Sequence, residues 1–263
     1  MYMHLPWFDW VPVIGGPIVA AALFVAAMAK ASASTRLESN ERRAVIAGVA
    51  LFIATWFAGY AYLAAREVFS FTAAPVPLLP IAVLLPLIVA FGAFQTMPAL
   101  RAIASRIPQE QLIGIQIIRL MGFAFLLLLA QSQLPAVFAL PAGVGDMLVG
   151  FEAIFVASLY ARRASSATRA ALFLNLFGIA DFVVALTIGF LAANTKFALI
   201  HVSPTTDLVT YLPLVMVPVF GVPLFTMLHA LSLRSIAREL QAAGSKNGDG
   251  FRPEERRTEI VFE

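Results

Sequence analysis

Apolar residues run along this chain in continuous stretches, separated by short segments that hold most of its charges. The runs do not alternate with period two, so the strands of a membrane barrel are not expected. A helix needs about 20 apolar residues to cross the hydrocarbon core of a bilayer. Reading the runs between charged or Pro/Gly breaks predicts seven spans, over 8–29, 44–65, 76–97, 112–131, 141–161, 170–192 and 209–232. The expected fold is an all-α integral membrane protein. A seven-helix transmembrane domain covers 1–236, and 237–263, with its charged stretch GSKNGDGFRPEERR, reads as a flexible cytoplasmic tail.

Composition supports the membrane reading. Sixty per cent of the residues are hydrophobic and 13% charged, far from a soluble domain. A soluble core of this length could not hide that apolar surface. The net charge of +3 would also suit nucleic acid, but the placement of the basic residues decides against it. Segments after the odd-numbered spans carry Lys30, Arg36, Arg42 and Arg43, then Arg101 and Arg106, then Arg162, Arg163 and Arg169. The C-terminal segment adds Arg234, Arg238, Lys246, Arg252, Arg256 and Arg257. The other side holds Arg66 and Lys196, while Arg119 falls inside span 4. The positive-inside rule then puts the N-terminus out and the C-terminus in. Trp7, Phe8 and Trp10 would anchor the outer interface. The start MYMHLPWFDW lacks a basic n-region and a cleavage site, so span 1 itself is expected to direct insertion. With no cysteine, disulfides and thiolate metal sites are excluded. The excess of Arg over Lys and the Ala richness point to a GC-rich bacterial genome, and so to the inner (plasma) membrane.

A 3+1+3 parallel pseudo-repeat is a further expectation. Ala22-Leu-Phe-Val-Ala-Ala-Met28 of span 1 resembles Ala153-Ile-Phe-Val-Ala-Ser-Leu159 of span 5. At the same displacement, Phe94–Leu100 resembles Phe225–Leu231, and both spans are proline-rich upstream, with Pro77, Pro80 and Pro86 in one and Pro213, Pro218 and Pro223 in the other. Spans 2 and 6 match less well, with Thr55 opposite Asp181. Parallel repeats of this kind occur in transporters, and the topology resembles that of the SWEET sugar transporters without sharing a motif.

Candidate chemistry lies in the ionisable residues inside the spans. Each costs about 2.5–3.5 kcal/mol on insertion scales, so each should face protein or water. Arg119, Glu152 and Asp181 all fall within about 5 Å of the midplane at 1.5 Å per residue. Asp146 lies toward the outside and Asn175 toward the cytoplasm. One guanidinium and two carboxylates at one depth should converge. Arg119 stays charged, so at least one acid should ionise against it, while the other can hold a proton. Gln116, one turn before Arg119, extends the polar stripe, and Thr55 is also near mid-membrane. The plainer reading is polar glue that fixes helix packing. His229, with Thr226 and Ser232, reads as a solvated face near the inner end of span 7.

No GxxxxGK[ST], GxSxG or HExxH motif occurs, which leaves the common hydrolase and nucleotide mechanisms without support. His4, His201 and His229 are too dispersed for a bis-His haem site, and no cofactor is expected. The topology resembles that of the rhodopsins, yet spans 6 and 7 hold no Lys for a retinal Schiff base. The leading expectation is a small-molecule transporter or proton-coupled permease, with Arg119 binding an anionic group or neutralising Glu152. A heptahelical sensor using the same cavity is the second, and a membrane enzyme acting on a lipid or quinone the third. Expected partners are the lipid bilayer, a small molecule or proton and, in a homo-oligomer, further copies of the chain.

Overall fold

Long runs of Ala, Leu, Val and Phe leave the backbone no polar partner but itself, and the helix satisfies every amide within one segment. The computed structural model describes residues 10–71 and 78–248. Seven helices there are long and apolar enough to cross a membrane: α1 (Val11–Ser32), α2 (Ser39–Ala65), α3 (Leu78–Thr96), α4 (Gln109–Ala130), α5 (Ala136–Ala161), α6 (Ala167–Leu191) and α7 (Val217–Gln241). The chain is a multi-pass membrane protein by this architecture. Pro108 and Pro135, both in extended conformation, precede the first residues of α4 and α5. A short helix, Pro98–Ala104, joins α3 to α4.

Helix α4 packs along α5, α5 along α6, α6 against α7, and α7 back onto α4. This ring of four encloses the centre of the molecule. Helix α1 packs on α2 and α4, and α3 leans on α7. In their most apolar stretch, α7 and α4 are 61% and 50% buried, against 17% for α2 and α3. The first pair is therefore the core and the second the rim. Leu51, Ile88, Phe91, Phe155 and Phe173 project outward, as lipid-facing side chains should. Trp56 of α2 packs its ring 4.5 Å from that of Phe220, tying the rim to α7.

Three stretches depart from regular α-helix. The middle of α4, Gln116–Gly122, is wound as 3-10 helix. Helices α1 and α7 each open with a π-helical turn, Val11–Gly15 and Val217–Gly221. The two turns read VPVIG and VPVFG, so local sequences that differ at one residue share the same unusual winding.

The helix starts depart from expectation at three places. Helix α2 begins at Ser39 and α5 at Ala136, upstream of the apolar runs that marked them. Charged Glu41, Arg42 and Arg43 continue α2 beyond its apolar part, and Pro141 is accommodated inside α5. The larger difference is α7, which starts at Val217 rather than 209. Residues Asp207–Thr210 form a separate 3-10 turn, and Pro213 disfavours helix at the residue before it. The connection from α6 to α7 folds back over the bundle, with the Thr206 hydroxyl donating to Gly189 O at 2.6 Å. The last helix runs on to Gly248, so 237–248 of the expected tail is helical. The rest of that tail, with Trp7, Phe8 and Pro77, lies outside the described residues.

Candidate functional site

A 3-10 helix has three residues per turn, so positions i and i+3 eclipse. Gln116, Arg119 and Gly122 accordingly form one line down α4, all three buried. That line faces α5, α6 and α7. The Arg119 Nε donates to Asp146 Oδ1 of α5 at 2.7 Å, and Nη2 donates to Asp181 Oδ2 of α6 at 2.5 Å. Nη1 lies 3.4 Å from Gly178 O and 3.1 Å from His229 Nε2 of α7. One guanidinium thus joins the four central helices. Phe182 closes it from above, its ring centroid 3.9 Å from Cζ, a cation–π contact.

Two glycines make room for this arrangement. A Cβ on Gly145 would fall on the Asp181 carboxylate, and one on Gly178 would come within 2.5 Å of His229 Nε2. A side chain at either position would push a member of the cluster out of place.

Below Arg119 the polar contacts continue. Arginine only donates, so His229 Nε2 must accept, and Nδ1 then carries the proton. Nδ1 donates to Asn175 Oδ1 at 2.8 Å. Asn175 Nδ2 donates to Ala171 O at 2.6 Å and to the Ser232 hydroxyl at 2.7 Å. Gln109, the first residue of α4, donates to the same hydroxyl at 2.6 Å. The chain Arg119–His229–Asn175–Ser232–Gln109 therefore runs from the middle of the bundle to the end where α4 begins. Gln109 Oε1 and Gln116 Oε1 are buried without a partner.

Above the cluster lies a cavity of about 260 Å³ between α3, α5, α6, the start of α7 and the 206–210 connection. Its walls are mostly apolar and include Phe71, Phe125, Phe138, Phe182 and Phe190, with Thr206 and Thr210 on the side of the connection, and its floor is Asp146 and Asp181. The side chains of these aspartates are 15% and 6% exposed, and that of Arg119 only 1%. The carboxylates are what a molecule in the cavity would meet. A smaller cavity of about 50 Å³ touches Arg119 and Asp146 from the α1 side, beside Pro17 and Gly221.

Arg119, Asp146, Asp181 and Asn175 come together, and Gln116 lines up with them on α4, its Nε2 3.5 Å from Phe225 O. Glu152 and Thr55 do not join. Glu152 is half-buried and has no ion pair among the described residues. Thr55 is exposed and donates to Leu51 O and Phe52 O of its own helix. The place expected for Glu152 is taken by Asp146. Arg119 has its donors committed within the protein, which leaves it poorly placed to bind an anion. His229 is the main correction: it is fully buried rather than a solvated face. Helix α7 starts eight residues after the apolar run predicts, which makes residue 229 the midpoint of Val217–Gln241. Gln109 precedes the apolar run that marks span 4, so apolarity does not single it out. The signal for His229 is in the sequence. Aligning VPVIG with VPVFG starts span 7 at Val217 and brings His229 close to its centre.

Residues 76–237, more than half of the chain, match a family described as "Domain of unknown function (DUF8737)". The chain belongs to this family. The DUF8737 match takes in α3 to α7, and with them Arg119, Asp146, Asp181, His229 and the cavity floor. No curated protein and no solved structure matches the chain.

Proposed function

We propose that this DUF8737 protein is a small-molecule transporter with proton coupling, working at the Asp146–Arg119–Asp181 cluster. One observation carries the reading: an apolar cavity of about 260 Å³ ends on two carboxylates fixed by one buried guanidinium at mid-bundle. A packing staple needs no such cavity above it, and intramembrane charges that reach a cavity typically mark a substrate or ion pathway. The reading includes the orientation drawn from the basic residues, with the cavity facing out, the C-terminus in the cytoplasm and the inner membrane of a bacterium as the location. It also includes the pairing of α1–α3 with α5–α7 as parallel repeats, to be tested by superposition about an axis along the membrane normal.

A heptahelical sensor is the second reading, favoured by the polar layer of His229, Asn175 and Ser232, which fills the bundle below Arg119. The absence of cysteine offers a direct discrimination. Ala185→Cys places one thiol on the cavity wall. In a transporter, a membrane-impermeant maleimide should label it from outside in right-side-out vesicles and from the cytoplasmic face in inverted ones. Labelling from outside alone, under all conditions, overturns transport in favour of the sensor.

A further inference from the structure

We propose that the cavity over Asp146 and Asp181 takes an organic monocation with an apolar, ring-sized body, in exchange for a proton held between the two carboxylates. The assignment rests on reading this cavity as the ligand site, and names the class of ligand.

The charged and titratable groups of the cluster come from four helices: Arg119 on α4, Asp146 on α5, Asp181 on α6 and His229 on α7. Helix α3 contributes Leu79, Pro80, Val83 and Leu84, and α1 contributes Pro12, Val13 and Pro17, none of them titratable. His229 is neutral here, because its Nε2 accepts from a group that can only donate. Two carboxylates thus face one guanidinium, and with both ionised the cluster carries one surplus negative charge. In a low-dielectric interior such a charge needs a partner. A proton supplies one with no other ligand present. A monocation in the cavity supplies it equally well, and then the proton must leave. In the exchange the O–H bond of the carboxylic acid breaks, the proton passes to water, and the cation's charge replaces it. Net charge at the site is unchanged.

The walls select the rest of the molecule. Phenyl rings surround the floor, and aromatic faces attract cations. A dry cavity of about 150 Å³ accommodates benzene, so 260 Å³ leaves room for one ring and a small ammonium head. An anion would meet two carboxylates, with the guanidinium shielded behind Phe182.

Benzyltrimethylammonium is a suitable probe, since its charge is permanent and it cannot itself supply or take up the exchanged proton. Its binding to the full chain in detergent micelles is measured by calorimetry in two buffers of different ionisation enthalpy. Binding should tighten by about tenfold per pH unit while the proton is held, with one proton released per cation. Asp146→Asn and Asp181→Asn should each weaken it by about 30-fold or more. 3-Phenylpropanoate should not bind. The pH series on the unaltered protein decides the matter even if a variant fails to fold. Binding of the anion, binding of the cation without proton release, or no binding of the cation at millimolar concentration each overturns the proposal. Labelling of Ala185→Cys from both faces would still stand in those cases, so failure of the ligand class is separable from failure of transport.

Discussion

Arg119→Leu removes the group on which the four central helices converge. The guanidinium makes charge-assisted hydrogen bonds of 2.7 and 2.5 Å to carboxylates that are 15% and 6% exposed. Removing one partner of a buried ion pair costs about 3–5 kcal/mol, because the other charge is stranded. Of the two carboxylates left behind one is ionised and the other holds its proton, so one charge is stranded and that range applies. Loss of the Phe182 cation–π contact adds about 0.5–2 kcal/mol. Deleting both carboxyl groups as well should reverse most of the effect, since replacing a whole buried ionic group by apolar residues is often neutral. The triple variant Arg119→Leu/Asp146→Ala/Asp181→Ala should therefore return to within about 1–2 kcal/mol of the parent. Equilibrium unfolding by dodecyl sulfate in mixed micelles, followed by tryptophan fluorescence, measures both, because Trp56 reports from the core beside Phe220. A single variant within about 1 kcal/mol of the parent, or a triple variant as unstable as the single, would refute the argument. The folded triple variant also separates a site from a staple. It should no longer bind benzyltrimethylammonium, whereas a staple would leave binding intact.

Gly145→Ala puts a methyl group on the Asp181 carboxylate and should cost about 1–3 kcal/mol by overpacking. Gly114→Ala, on α4 with nothing within 4 Å of the added methyl, is its control and should be stable in the same assay. Glu152→Gln and Thr55→Val touch no member of the cluster and should change stability by less than about 0.5 kcal/mol. A loss of cation binding in either would mean that the site extends beyond the Arg119–Asp146–Asp181 cluster and the cavity over it.

The parts of this molecule legible in its sequence are those fixed by an insertion cost paid residue by residue. A run of Leu, Ala and Phe has no alternative to a buried or lipid-facing helix, so seven spans could be counted from apolarity alone. A charge at mid-span must find a partner, so Arg119 and Asp181 could be matched by depth. What apolarity does not encode is rotation and register. Glu152 is closer than Asp146 to the expected centre of its span, and depth alone chose it. The 3-10 winding of Gln116–Gly122 and the space left by Gly145 bring Asp146 and Asp181 to Arg119 instead.

The register of α7 differs from its apolar run for a related reason. Residues 209–216 are apolar enough to prolong the span, but Pro213 and the 3-10 turn at Asp207–Thr210 detach them from the helix. Starting the helix eight residues early displaces His229 by about 12 Å from mid-span toward the C-terminal end of the helix at 1.5 Å per residue. At that depth a histidine is a plausible interfacial residue, while at the midpoint it needs partners, and Arg119 and Asn175 supply them. The twin turns Val11–Gly15 and Val217–Gly221 carry the missing information, because a shared proline pattern marks where each helix begins, which hydropathy cannot. Gly221 also lies against Pro17 of α1, 3.6 Å from where its Cβ would be, so the two turns bring their helices together on the α1 side of the cluster. Helix starts set by local backbone winding, rather than by the ends of apolar runs, therefore fix which polar residues share a depth, and through that the composition of the site.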